Sequence, residues 1–165
     1  MIKSGKNLLF VCCIVLSPFA RAQSDPAEAS ILATVDAFFA ALANRDRESL
    51  EALTVPGSLN ISASVDADGT SRFSSRNYDE LIAALSSPSA NKPLERYWDA
   101  TVLVRGDIAV FWAPYDFHVG SQFSHCGVDS FQLIRRQGKW LITNLSWTSE
   151  RDACPESPLG PVGQN

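Results

Sequence analysis

The chain has 165 residues, 45% of them hydrophobic and 19% charged, with 14 Lys+Arg against 18 Asp+Glu and a net charge of −4. That is enough length and apolar content for one domain with a real core. The acidic balance and the lack of a basic stripe leave nucleic-acid binding without electrostatic support.

Residues 1–22 read as an export signal. Lys3 and Lys6 precede an apolar run from Leu8 to Leu16, and Ala20-Arg21-Ala22 is a small-x-small cleavage pattern. The run is short and is interrupted by Pro18, which argues against a membrane span, so no membrane association is expected after cleavage. The expected mature chain is one domain over residues 23–152 and a Pro-rich tail over 153–165, in the periplasm or outside the cell. Cleavage leaves two cysteines, Cys126 and Cys154. An even pair in an exported protein favours a disulfide, which would stabilise by about 3–4 kcal/mol. Free thiols and metal binding are the other uses open to the pair.

Asp25-Pro26-Ala27-Glu28 reads as a helix start, with Asp25 as cap and Pro26 in the first position. Ile31, Val35, Phe38, Phe39 and Leu42 then recur on one helical face. Arg47 to Leu53 predicts a second, short helix burying Leu50 and Leu53, and Pro56-Gly57 stops it. Leu59 to Val65 alternates as a strand, Asp66 to Gly69 turns, and Thr70 to Ser74 returns. Asn77 to Glu80 caps a third helix that buries Leu81, Ile82 and Leu85.

From Arg96 the chain predicts strands. Arg96 to Val104 opens a sheet, and Asp107 to Ser149 continues it as three long β-rich runs broken at Gly120-Ser121 and Gln137-Gly138. Helices first and an antiparallel meander last predict an α+β fold with the helices on one face of the sheet.

Loop length sets register. Two-residue loops place Asp116 opposite His125, Trp112 opposite Asp129, Asp129 opposite Ser146 and Phe131 opposite Asn144. One face then carries Tyr97, Asp99, Trp112, Asp116, His125 and Asp129, with Phe131, Asn144 and Ser146 beside them, and is graded from aliphatic to polar. Such a face has the makings of a small-molecule pocket. The other carries Ala109, Phe111, Ala113, Tyr115, Phe117, Cys126, Leu145 and Trp147. Both faces need cover, and a second copy of the chain or the tail would supply it for the side the helices leave open.

Within the predicted pocket, Asp116 beside His125 is the sharpest chemical expectation. A carboxylate facing an imidazole fixes its tautomer and raises its basicity, as a general base requires. The plainer role of such a pair is to tie two strands together. Asp129 is a second acid, and Tyr97 and Asp99 stand at the rim. His118, next to the turn, is expected to be exposed. His118, His125 and Asp116 lack the spacing of a metal site, and no cofactor-binding motif is present.

Trp112-Ala-Pro-Tyr-Asp-Phe, Phe123-Ser-His-Cys-Gly-Val-Asp-Ser-Phe-Gln-Leu, Gly138-Lys-Trp-Leu-Ile and the ending Cys154-Pro-Glu-Ser-Pro-Leu-Gly resemble an exported bacterial branch of the nuclear transport factor 2-like superfamily. That superfamily includes the SnoaL-like and lumazine-binding-like groups. The resemblance implies a cone-shaped α+β fold, a curved sheet wrapped on helices around a pocket, with homodimers often formed through the sheet. It implies no particular reaction, because the fold hosts isomerases, dehydratases, cyclases, epoxide hydrolases and binding proteins. The steroid isomerases among them use a tyrosine and two acids, and no run in this chain aligns to that set. The expected function is small-molecule binding. The alternatives are a cofactor-independent lyase, isomerase or hydrolase built on the Asp–His pair, and a dimeric protein-interaction module.

Overall fold

A computed structural model describes residues 25–65, 69–152 and 154–163. The expected export signal lies outside the described residues, as does part of the Asp66 to Gly69 turn.

The three helices form where capping and periodicity place them. In α1, Pro26–Asn44, the Asp25 carboxylate accepts from the Ala27 N–H at 2.9 Å. Ile31, Val35, Phe38, Phe39 and Leu42 are the buried stripe of that helix, together with Ala41. It ends at Arg45, which takes a left-handed conformation and donates its N–H to the Leu42 carbonyl. Asp46 caps α2, Arg47–Leu53, by accepting from the Ser49 backbone and hydroxyl. In front of α3, Tyr78–Leu85, Asn77 and Glu80 form a reciprocal capping box at 3.0 and 2.9 Å.

Seven strands make one mixed, curved sheet: β1 Leu59–Val65, β2 Ser71–Asn77, β3 Pro93–Tyr97, β4 Thr101–Arg105, β5 Ile108–Val119, β6 Gln122–Arg136 and β7 Lys139–Ser149. Their order is β2-β1-β7-β6-β5-β3, with β4 also on β5. Every pairing is antiparallel except β1 with β7. The expected opening run from Arg96 to Val104 is in fact two strands. β3 pairs with residues 115–119 of β5 and β4 with residues 108–112. Between them the chain turns a corner at Asp99, whose φ is +45°.

Two irregularities rewrite the expected register. Val119 does pair with Gln122 and Arg136 with Lys139, so both hairpin turns are as short as expected. Beyond the first turn, however, His118 pairs with Phe123 and Phe117 with His125, which leaves Ser124 as an extra residue in β6. Beyond the second, Leu133 pairs with Ile142 and Gln132 with Asn144, which leaves Thr143 extra in β7. Asp116 therefore sits opposite Cys126, Asp129 opposite Ala113 and Trp147, and Phe131 opposite Phe111 and Leu145. A one-residue slip moves a side chain to the other face of a sheet. The face expected from regular hairpins thus mixes residues from both sides.

The helices cover the inner, concave side. Phe38 of α1 meets Phe131 edge-to-face at 5.5 Å, and Phe131 meets Phe111 at the same distance. Tyr97 packs against Phe39 and Phe111 and donates its hydroxyl to Asp36 at 2.8 Å. Ala109, Phe111, Phe131, Leu133 and Ile142 are all 1% exposed or less. On the outer side, Cys126 and Cys154 are joined by a disulfide with Cα atoms 5.9 Å apart, which ties the tail to the back of the sheet.

Candidate functional site

At the polar end of the concave side the core stops short of filling the space. A cavity of ≈ 200 Å³ lies between α1, α3 and the sheet. The helices contribute only hydrocarbon to it: Phe38, Phe39, Leu42, Leu81 and Leu85. Phe117, Leu145 and Trp147 continue that wall on the sheet, and the polar groups are Glu95, Tyr115, His125 and Asp129. No lysine or arginine is among the lining residues.

Asp129 is 2% exposed, and the Glu95 carboxyl reaches across to hydrogen-bond with it. Two carboxyls can bond to each other only when one of them holds a proton. Loss of water raises both acids, and for Asp129 the neighbouring Glu95 raises it further, well above the usual carboxylate range. Burial lifts Glu95 to about 7, against the lowering effect of its bond to Asp129. Glu95 as a whole residue is only partly buried, since it lies on an edge strand, while its side chain lines the cavity. The buried Asp129 Oδ2 receives no hydrogen bond from any ordinary donor. The raised pKa values of this dyad favour a shared proton, and no lysine or arginine lines the same space.

His125 stacks on Phe117 at 4.9 Å, stands edge-on to Tyr115 at 5.7 Å, and has its Nδ1 3.0 Å from the Ser124 hydroxyl. Burial, then the charge of Arg151, lower its pKa, so the ring is neutral at pH 7. Burial raises the Tyr115 phenol, as do the Asp129 and Glu95 carboxyls, and its hydroxyl donates to the Thr148 carbonyl at 2.6 Å. That strand contact is close. A Cβ on Gly127, beside His125 and Asp129, would meet the Thr148 carbonyl oxygen, so only glycine fits there.

The sequence expectations divide here. His125 and Asp129 line the cavity. Asp116 does not join them: it lies on the outer side, where Arg96 holds it with Nε at 2.8 Å and its second nitrogen at 2.5 Å. Burial pushes its pKa up, but hydrogen bonds from Arg96 and from Ser157 of the tail outweigh that and leave it below the usual carboxylate range. His118, expected to be exposed, is 7% exposed and packs beside Phe123, with Nε2 3.4 Å from Asp116 Oδ1. The reason is the tail, which covers this part of the outer side with Pro155, Ser157 and Pro161.

The expected ligand-binding residues also scatter. Tyr97 and Phe131 belong to the aromatic core and Asp99 to the exposed corner. Trp112 is outside and 52% exposed. Asn144 and Ser146 are outside as well, with Asn144 bonded to Gln132 and to the Leu59 N–H. Glu95 escaped the sequence reading. Its signal was present in Pro93-Leu94-Glu95-Arg96-Tyr97, where alternation puts Glu95 on the same side as Tyr97.

A curved sheet wrapped on helices, with an apolar pocket at its polar end, defines the class as α+β cone folds. The fold is that of the nuclear transport factor 2-like proteins. One such protein from Cytophaga hutchinsonii superposes with a TM-score of 0.62 at 19% identity, covering 76% of this chain and 98% of that one. The β subunit of a candidate aromatic-ring-hydroxylating dioxygenase from Novosphingobium aromaticivorans matches with a TM-score of 0.61 at 14% identity, covering 76% and 90%. A candidate dehydratase of the same fold from Streptomyces avermitilis matches at 0.54 and 14% identity, covering 73% and 94%. No protein-family model matches the sequence, and no curated protein matches it.

Proposed function

We propose that this chain is an exported protein that binds a small, partly apolar molecule in the cavity between its helices and its sheet. The observation that carries the proposal is the pairing of a partly enclosed, hydrocarbon-walled space with two convergent acids at one end. A cavity of ≈ 200 Å³ suits a molecule of about one ring, since about 150 Å³ accommodates benzene. Export is supported by the basic, apolar and small-x-small order of residues 1–22 and by the disulfide. Saturation-transfer NMR with benzyl alcohol tests the pocket. Signal is expected with the wild type and is lost in Leu85→Trp, which fills the cavity. Equal signal from both proteins would sink the idea.

A second reading, as an acid–base enzyme of the lyase, isomerase or hydrolase kind, is favoured by the same dyad. A carboxyl pair that keeps a proton near neutral pH can give and take one. The Asp116–His125 pair is no longer available for that role, so the chemistry would rest on Glu95 and Asp129. Turnover that survives Asp129→Asn unchanged would dismiss it.

We also propose that the chain forms a homodimer through the outer side of the sheet. Leu103, Ile108 and Trp112 stand there at 65%, 63% and 52% exposure. A patch of large apolar side chains in that state favours a partner.

A further inference from the structure

The electrostatics of the cavity narrow what it can hold. Every titratable group lining it is an acid, a phenol or a neutral imidazole: Glu95 on β3, Tyr115 on β5, and His125 and Asp129 on β6. α1, α3 and β7 supply no titratable side chain to it, and Arg151 acts on His125 without lining the cavity. When the dyad ionises, its negative charge therefore meets no lysine or arginine among the residues that line the cavity. Donors are few: the Trp147 indole N–H and one His125 ring nitrogen are what the lining side chains offer beside the carboxyls' own proton. The Tyr115 hydroxyl is committed to the Thr148 carbonyl, His125 Nδ1 is engaged with Ser124, and Asp129 Oδ2 is buried with no ordinary donor. An occupant that satisfies this end must bring N–H or O–H groups and, preferably, positive charge.

The walls agree. Phe38, Phe39, Tyr115, Phe117 and Trp147 surround the same space with aromatic rings. Ring faces attract a cation, most strongly where water is excluded. An ammonium presents three donors and no acceptor, the complement of two acceptor-rich carboxyls. A neutral alcohol offers one donor and leaves the charge uncompensated, and a carboxylate would meet like charge. The chain's net charge of −4 draws in cations too.

We infer that the cavity takes a small organic cation, a protonated amine on an apolar body of about one ring, with the ammonium between Glu95 and Asp129 and the body against Phe117 and Trp147. This rests on the small-molecule reading of the same pocket and specifies its ligand class. Ammonium binding lets the dyad give up its shared proton, so uptake of the amine is coupled to proton release.

Isothermal titration calorimetry on the purified, oxidised protein tests it, with benzylamine, benzyl alcohol and benzoate at pH 7.5. These probes share a ring and differ in charge. Benzylamine is expected to bind at least about tenfold more tightly than benzyl alcohol, with benzoate weakest. Repeating the benzylamine titration in buffers of different ionisation enthalpy should reveal net proton release. Asp129→Asn should weaken the amine by about tenfold and leave the alcohol within about threefold. Glu95→Gln serves the same purpose if the Asp129 variant does not fold. Benzyl alcohol binding as tightly as benzylamine overturns the cation inference and leaves the small-molecule pocket standing. Failure of all three probes to bind overturns both.

Discussion

Replacing Glu95 by glutamine should make this protein more stable above neutral pH. Glutamine keeps the shape of the side chain, can still donate to Asp129, and cannot ionise. The wild-type glutamate is held at about 7, against an ordinary value of 4.5, because burial penalises its charged form. That difference corresponds to about 3 kcal/mol at about 1.4 kcal/mol per pH unit, or about 2–3 kcal/mol after allowing for partial exposure of the residue. The sign follows from proton binding. Between pH 4.5 and about 7 the folded chain holds a proton that the unfolded chain has lost. The stability conferred by the raised pKa is thus complete below the unfolded value and falls away as pH rises through 7. His125, whose folded pKa is lowered, acts in the opposite sense, so its contribution falls as pH drops below its unfolded value. The comparison of Glu95→Gln with wild type removes that background. Thermal melts by circular dichroism at pH 5, 7 and 8.5 are the assay. With about 3–4 °C per kcal/mol for a domain of this size, the variant should melt about 6–12 °C above wild type at pH 8.5. At pH 5 the gap should close to a few degrees. Identical pH profiles for the two proteins would refute the argument that the Glu95 carboxyl is desolvated.

The remaining predictions concern the scaffold and the outer side. Gly127→Ala places a Cβ 2.2 Å from the Thr148 carbonyl oxygen, so β6 and β7 must separate. Urea unfolding should show a loss of about 2–4 kcal/mol, and an unchanged midpoint would mean that the strands do not approach so closely. Cys154→Ser opens a link across 28 residues and should cost about 3–4 kcal/mol. Trp112→Glu puts charge into the exposed apolar patch of the outer side. Analytical ultracentrifugation should show a wild-type dimer and a monomeric variant, and a wild type that already sediments as a monomer ends the dimer proposal.

Most of the fold was legible because it rests on short-range signals. The Asp25 and Asn77 caps, the Ile31 to Leu42 stripe and the glycine-containing turns each act within a few residues, and each appears where the local sequence puts it. The pocket was legible only in part, because it depends on two residues that local rules do not mark. Ser124 and Thr143 have no feature that distinguishes a bulge from an ordinary strand residue, yet each slides one strand against its neighbour. The slip at Ser124 exchanges the expected partner of His125, Asp116, for Phe117, and brings the Tyr115 and Phe117 side into the cavity. Asp129 was identified on the correct side with the wrong neighbours. Glu95 was missed because the sheet was expected to begin one residue after it.

The contrast between Asp116 and Asp129 shows how differently the two sides of the sheet treat a buried acid. Both are 4% exposed or less, and both sit within long adjacent strands. On the outer side Arg96 grips Asp116 with two hydrogen bonds and the tail adds Ser157, so the carboxylate is matched and its pKa falls. On the inner side Asp129 has only another acid for a partner, and both pKa values rise. A fold that needed a buried acid merely to join strands has a low-energy solution in its own outer face. Retaining a buried acid pair with no cation lining its cavity, at about 2–3 kcal/mol above neutral pH, fits the proposal that a ligand rather than the protein completes the charge balance. The same logic says where engineering should fail. Placing an arginine at Leu145, which lines the same cavity, should lower both carboxyl pKa values and stabilise the charged pair, while removing the amine binding proposed for the unmatched acids.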